Sequence, residues 1–125
     1  MAGTVVASYL NDGTTSGSTT DMVKGSARAW VNFNGTGTVA IRASYNVSSI
    51  TDNGVGFYTI NLTNPLVDIN GCVVGVACDS ATNDVGNFNQ WISGVISSTT
   101  SVVVASVYYA NGYQDNAYNQ VAVFR

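Results

Sequence analysis

The chain has 125 residues, of which 9% are charged and 46% hydrophobic, with four basic and seven acidic side chains and no histidine. That length is one domain's worth and suffices for a self-sustaining core. Four scattered cations (Lys24, Arg28, Arg42, Arg125) and a net charge of −3 exclude a nucleic-acid interface, which needs clustered cations to displace phosphate counterions. They equally exclude a polybasic membrane anchor.

Ser, Thr, Asn and Gly stand in for the missing charges. Glu is absent and Leu, Lys and Met are few, whereas Val, Ile, Thr, Tyr and Phe abound, so the expected class is all-β. No stretch approaches the ~20 apolar residues of a membrane span. The opening MAGTVVASYL has neither the basic start nor the apolar run of a signal peptide, so assembly in the cytoplasm that makes the chain is expected.

In chain order, Thr4 to Leu10 reads as a short strand closed by the turn Asn11-Asp12-Gly13, followed by the polar run TTSGSTTD. Residues 1–24 are therefore predicted to form an extended arm, with Val5, Tyr9, Leu10 and Met22 as its candidate contacts with a neighbour. A folded domain over 25–125 follows. Ala27, Ala29, Val31 and Phe33 alternate with Arg28, Trp30 and Asn32, which is the period of a half-buried strand. Asn34-Gly35-Thr36-Gly37 is a hairpin signal, and the next strand sets Val39, Ile41, Ala43 and Tyr45 on one face. Val47 to Thr51 leads to a turn at Asp52-Asn53-Gly54. Gly56 to Thr63 then places Tyr58, Ile60 and Leu62 opposite Phe57, Thr59 and Asn61. Pro65, the only proline, belongs at a strand end or in a loop. The apolar run Gly71 to Cys78 predicts a central strand covered on both faces, and 80–89 a polar loop. Gln90 to Ser97, Val102 to Tyr109 and Tyr118 to Phe124 complete about eight strands, with a turn at Asn111-Gly112. That rhythm predicts a single antiparallel β-sandwich or jelly-roll-like domain.

Cys72 and Cys78 fall six residues apart in one strand, roughly 20 Å between their Cα atoms at strand rise, too far for a disulfide. Both are expected as buried thiols on one face. Without histidine no closed zinc site and no Ser-His-Asp or Cys-His arrangement can form. The aspartates (Asp12, Asp21, Asp52, Asp68, Asp79, Asp84, Asp115) fall mostly at turns, where Asp bonds its own backbone. A glycosidase pair among them is the outside reading. Asp79 to Asp84 has oxygen ligands suited to calcium but not the spacing of an EF-hand, so a solvated loop is preferred. No cofactor is called for. Three glycosylation sequons (at Asn34, Asn46 and Asn61) are what a chain so rich in Asn, Ser and Thr produces by chance.

The segment Tyr108 to Tyr118 mixes Tyr with Asn, Gly and Asp in the manner of binding loops. Tyr109, Asn111, Tyr113, Asp115 and Tyr118 are its candidate contacts with a partner or receptor; the alternative is a hairpin whose tyrosines pack on the sheet. Trp30 and Trp91 read as core or interface anchors.

The blocks AWVNFNGTGTVAIR and NVSSITDNG, within Gly25 to Leu62, resemble a module of small and fibre-type proteins of tailed bacteriophages, and SYLNDGTTSGSTTDMVKG resembles its lead-in. Beyond Leu62 the likeness is looser. The resemblance implies a non-enzymatic virion part, usually a homotrimer, and supplies no catalytic residues. Two readings follow. The first is a capsid decoration (cement) protein contacting identical subunits and the major capsid or other virion proteins. The second is a fibre tip that binds a host surface glycan or protein.

Overall fold

The computed structural model describes residues 3–79, 90–109 and 112–125. Its elements are β1 (Tyr9–Asn11), β2 (Ser16–Ser18), α1 (Thr19–Gly25), β3 (Ala27–Asn34), β4 (Ala40–Tyr45), β5 (Val47–Gly54), β6 (Phe57–Leu62), β7 (Cys72–Cys78), β8 (Gln90–Ser98), β9 (Ser101–Tyr108), β10 (Gly112–Tyr113) and β11 (Tyr118–Phe124). The fold is all-β, and every strand pairing is antiparallel. Eight of the described strands have six residues or more, and these build two facing sheets.

One sheet runs β4-β3-β11-β7. The other runs β8-β9-β6-β5, because β6 and β8 both pair along β9 and must occupy its two edges. The two-residue β10 continues the β6 row, meeting β9 at Tyr108 and Val107 where β6 stops at Ala105. Alternation places the core as the residues require. Ala29, Val31 and Phe33 of β3, with Val121 and Val123 of β11, face Tyr58, Ile60 and Leu62 of β6 and Val102 and Val104 of β9, all buried. The Phe33 ring meets Tyr58 edge-on at 5.0 Å.

The chain crosses between sheets at Asn46, the one residue between β4 and β5. Its φ of 56° is left-handed, a region that Asn tolerates better than most residues. Its side-chain amide donates to the carbonyls of Arg28 (3.0 Å) and Asn64 (3.1 Å), and its Oδ1 accepts the Asn64 N–H at 2.7 Å. At the opposite side β7 and β8 close the sandwich without ladder bonds. They pack by alternating large and absent side chains: a Cβ on Gly94 would lie 2.8 Å from Val73 Cγ1, and one on Gly75 would lie 2.9 Å from Ile92 Cβ.

Five expectations need correction. Thr4 to Leu10 is not one strand, and the arm is not simply extended. Only Tyr9–Asn11 is β, and it folds back on β2 through the predicted Asn11-Asp12-Gly13 turn. There the Asp12 carboxylate accepts the N–H groups of Thr14 (2.9 Å) and Thr15 (2.8 Å). Helix α1 follows, with Asp21 in its first turn and Lys24 in its last, as the helix dipole favours.

The turn placed at Asp52-Asn53-Gly54 lies further on, at Val55-Gly56. Gly56 supplies the positive φ (64°), and Gly54 pairs with Phe57 across the hairpin. The four-residue apolar face of β4 is split by a bulge between its pairings with Asn32 and Phe33. Ala43 and Tyr45, opposite Asn32 and Trp30, stand on the outside.

Strand β7 is the edge of its sheet rather than its centre, and Val74 and Val76 are half exposed. Cys72 is exposed and Cys78 partly so, although the two remain unbridged as expected. The run is continuous because both faces are apolar. Only the inner one is covered.

Candidate interaction surfaces

Three surfaces stand out, and the first is the C-terminal strap, residues 112–118. It crosses one end of the sandwich and is tied down from beneath. The Asp115 carboxylate accepts the Tyr58 hydroxyl (2.6 Å) and the Gly56 N–H (2.7 Å), while Gln114 N–H donates to the Ser106 carbonyl at 3.0 Å. Burial and then the Asp115 contact push the Tyr58 phenol well above its ordinary range, so it stays a neutral donor. The backbone approach there is close: a Cβ on Gly56 would meet Gln114 N at 2.5 Å.

Further along, Asn116 Nδ2 donates to Ser106 Oγ (2.7 Å) and its carbonyl accepts Gly35 N–H (2.9 Å) and Asn119 Nδ2 (2.8 Å). Asn116 Oδ1, Asn119 Oδ1 and Gln90 Oε1 are buried acceptors with no donor among the described residues. Arg42 completes the strap, donating to the Ala117 carbonyl (2.6 Å) with its guanidinium 4.3 Å from the Tyr118 ring centre.

These ties divide the predicted receptor contacts. Asp115 and Tyr118 are structural parts of the strap. Tyr109 and Tyr113 are well exposed, and Tyr113 lies 6.2 Å from Phe57 between ring centres. Asn111 lies outside the described residues. So does the Asp79 to Asp84 loop, weighed for calcium and read as solvated, except for Asp79, whose carboxylate accepts the side-chain amides of Gln90 (2.9 Å) and Gln114 (3.3 Å).

The second surface is the outer face of the four-stranded sheet. Register places Tyr45, Trp30, Ala122 and Val74 in one row across it, and Ala43, Asn32, Gln120 and Val76 in the next. Trp30, Tyr45, Val74 and Val76 are each about half exposed. Because Ala43 and Ala122 are short, a shallow groove of about 550 Å³ opens between the larger side chains. Arg42 is the nearest charge in sequence. Sequence reasoning singled out Trp30 as an anchor and set it with Arg28 and Asn32 opposite Ala29, Val31 and Phe33, without marking that side as an interaction surface. Ala43 and Tyr45 were grouped with Val39 and Ile41 on one side of the next strand.

By contrast, the outer face of the five-stranded sheet is mostly hydroxyl and amide. There Asn61 Nδ2 bridges Ser49 Oγ and Thr51 Oγ1 at 3.0 Å each, and Asn53 Nδ2 donates to Thr59 Oγ1 at 2.8 Å. Phe57, Trp91 and Val95 are its exposed large apolar members.

The third surface is the arm. None of the described residues before Ala29 is buried, and the four predicted contacts Val5, Tyr9, Leu10 and Met22 are all exposed. Val5, Val6, Leu10 and Val23 line one groove between the hairpin lead-in and α1. Among the described residues the unit is held by local bonds, chiefly Thr19 Oγ1 to the carbonyls of Ala7 (2.7 Å) and Ser8 (3.1 Å). Two ties lie where β3 meets the C-terminus. The Arg28 Nε donates to the Arg125 carbonyl (2.8 Å), and the Arg125 side chain is paired with Asp68, whose carboxyl it holds down at about 2 with help from the Asn70 N–H.

Comparison with known proteins finds no matching family model, no matching curated protein and no matching solved structure.

Proposed function

We propose that this chain is a non-enzymatic structural protein of a tailed-phage particle, and within that class a capsid decoration (cement) protein that sits on the head and stabilises the shell. The observation behind the proposal is the pairing of a half-exposed apolar sheet face, bordered by Arg42, with an arm none of whose described residues is buried. Apolar surface of this kind marks contact sites. An arm with no core gains its stability by lying on something else. The phage-like blocks at Gly25–Leu62 supply the particle, and the paucity of charge suits close packing against copies and neighbours. Immunogold labelling of intact particles with an antibody to this chain is the test. Label distributed over the head is the expected result; label confined to the tail rejects the cement assignment.

A second reading, a fibre tip contacting a host glycan or protein, draws on one specific observation: Tyr109 and Tyr113 project from the end of the sandwich that the strap crosses, with Phe57 beside Tyr113. Under that reading Tyr109→Ala with Tyr113→Ala abolishes adsorption while particles stay intact. Under the cement reading adsorption is unchanged.

A further inference from the structure

The arm and the four-stranded sheet leave matching surfaces uncovered on the same chain, and the geometry points to their meeting between copies: we infer that the arm of one copy docks on the outer face of the β4-β3-β11-β7 sheet of the next. The inference deepens the structural reading above and rests on it for the expectation that copies meet.

Within one chain neither surface covers the other. Val5 and Val6 are 86% and 94% exposed, and the sheet side chains Tyr45 and Val74 are 59% and 51% exposed. Burying Val5, Val6, Tyr9, Leu10, Met22 and Val23 removes on the order of 700 Å² from water, close to the ~800 Å² per partner of a standard specific interface. On the sheet the side chains left for such a segment to cover are Trp30, Tyr45, Val74 and Val76, each about half exposed.

Shape agrees with this. The groove floored by Ala122 and Ala43 and walled by Trp30 and Val74 accepts branched aliphatic side chains, which the arm presents at Val5, Val6 and Leu10. The mostly polar Ser/Thr/Asn outer face of the other sheet would strand its amides under such a segment. Charge places little obstacle, since the two sheet rows contain no side chain charged at neutral pH, Arg42 reaches them only at Asn32 (3.4 Å), and the arm's own charges are Asp12, Asp21 and Lys24.

Arm patch and sheet patch are different surfaces, so the contact is head-to-tail. It closes into a ring when the rotation permits and otherwise extends as a chain. That geometry gives the test its logic. A copy with a spoiled arm keeps a good sheet face, and a copy with a spoiled sheet face keeps a good arm.

The experiment is native mass spectrometry and sedimentation velocity on the full chain, on an arm variant (Val5→Asp with Val6→Asp) and on a face variant (Val74→Lys). All substituted positions are exposed, and thermal melts of each variant check that folding is retained. The wild type is expected as an oligomer, each variant alone as a monomer, and their equal mixture as a heterodimer joined by the one intact junction. An oligomer that survives both variants, or a wild type that stays monomeric, overturns the inference.

Should the charged variants fail to fold, Val6→Cys with a short bismaleimide decides. Cross-linking to Cys72 of another copy, lost on Cys72→Ser, is required. Cross-linking within one copy, or none, rejects the docking. The two proposals fail separately. Head labelling with a monomeric free protein leaves the virion role and removes the homotypic contact. Oligomers made by this junction but missing from particles do the reverse.

Discussion

Asp115 shows how a residue's role follows from partners far away in sequence. In a Tyr/Asn/Gly stretch it reads as a surface contact, yet its acceptors' work is inward, holding the Tyr58 hydroxyl and the Gly56 N–H from 57 and 59 positions away. No local pattern announces such a pairing. The consequence is measurable. Asp115→Ala leaves a buried hydroxyl short of its main acceptor and should cost about 1–3 kcal/mol in urea unfolding, with Tyr58→Phe costing about 1. The double variant should cost clearly less than the sum, because both changes remove one shared bond. Additive losses would show the strap to be held by its other ties.

Asp68 makes a pH-dependent contribution of known sign. Its carboxyl is lower in the folded chain, about 2, than in the unfolded one, so the stability it contributes is complete above the ordinary carboxylate range and disappears as the pH falls through about 2. The gap in unfolding midpoint between wild type and Asp68→Asn should therefore be open at neutral pH and close in acid. A gap that is independent of pH would detach Asp68 from the acid transition.

At the level of elements, the strands with one covered face were legible and those with two apolar faces were not. β3 and β6 alternate cleanly because one side meets the core and the other meets water, and Ala29, Val31, Phe33, Tyr58, Ile60 and Leu62 are buried as their spacing demands. In β7 and β4 apolar residues also face outward, so periodicity reported apolar sides and was silent on which of them is covered.

Helix α1 had its signals in sequence: Ser18 before the first turn, Asp21 within it, Lys24 and Gly25 at the end. Seven residues are too few for such signals to sustain a helix without packing, which is why the run reads as an arm. The β7–β8 seam escaped for a different reason, since it rests on glycines that meet side chains only in three dimensions. It yields a paired prediction. Gly94→Ala places its methyl against Val73 and Val104 and should cost about 1–3 kcal/mol by overpacking, with partial recovery on adding Val73→Ala. Gly75→Ala should resist rescue by trimming Ile92, because the Gln120 carbonyl stands 2.8 Å from the new atom. Equal rescue at both sites would mean that the seam relaxes by backbone movement.

Across the whole molecule, the sandwich between β3 and β11 is complete without the arm. Its first and last long strands lie side by side in one sheet, with Ala29 paired to Val123 and Val31 to Val121. The all-β class, the number of long strands and the position of the core followed from composition and alternation. The interaction surfaces did not, because what remains bare after folding depends on which apolar faces find a partner within the chain.

One feature of this layout reaches into proteolysis. The single lysine, Lys24, ends the arm in a helix with no buried residue, whereas Arg28 and Arg42 are locked in the β3 and β4 ladders. Trypsin acts on segments that open readily, so a brief digestion should cut once, after Lys24, and leave 25–125 whole. A cut that slows as copies associate would make the arm's own cleavage site a gauge of assembly.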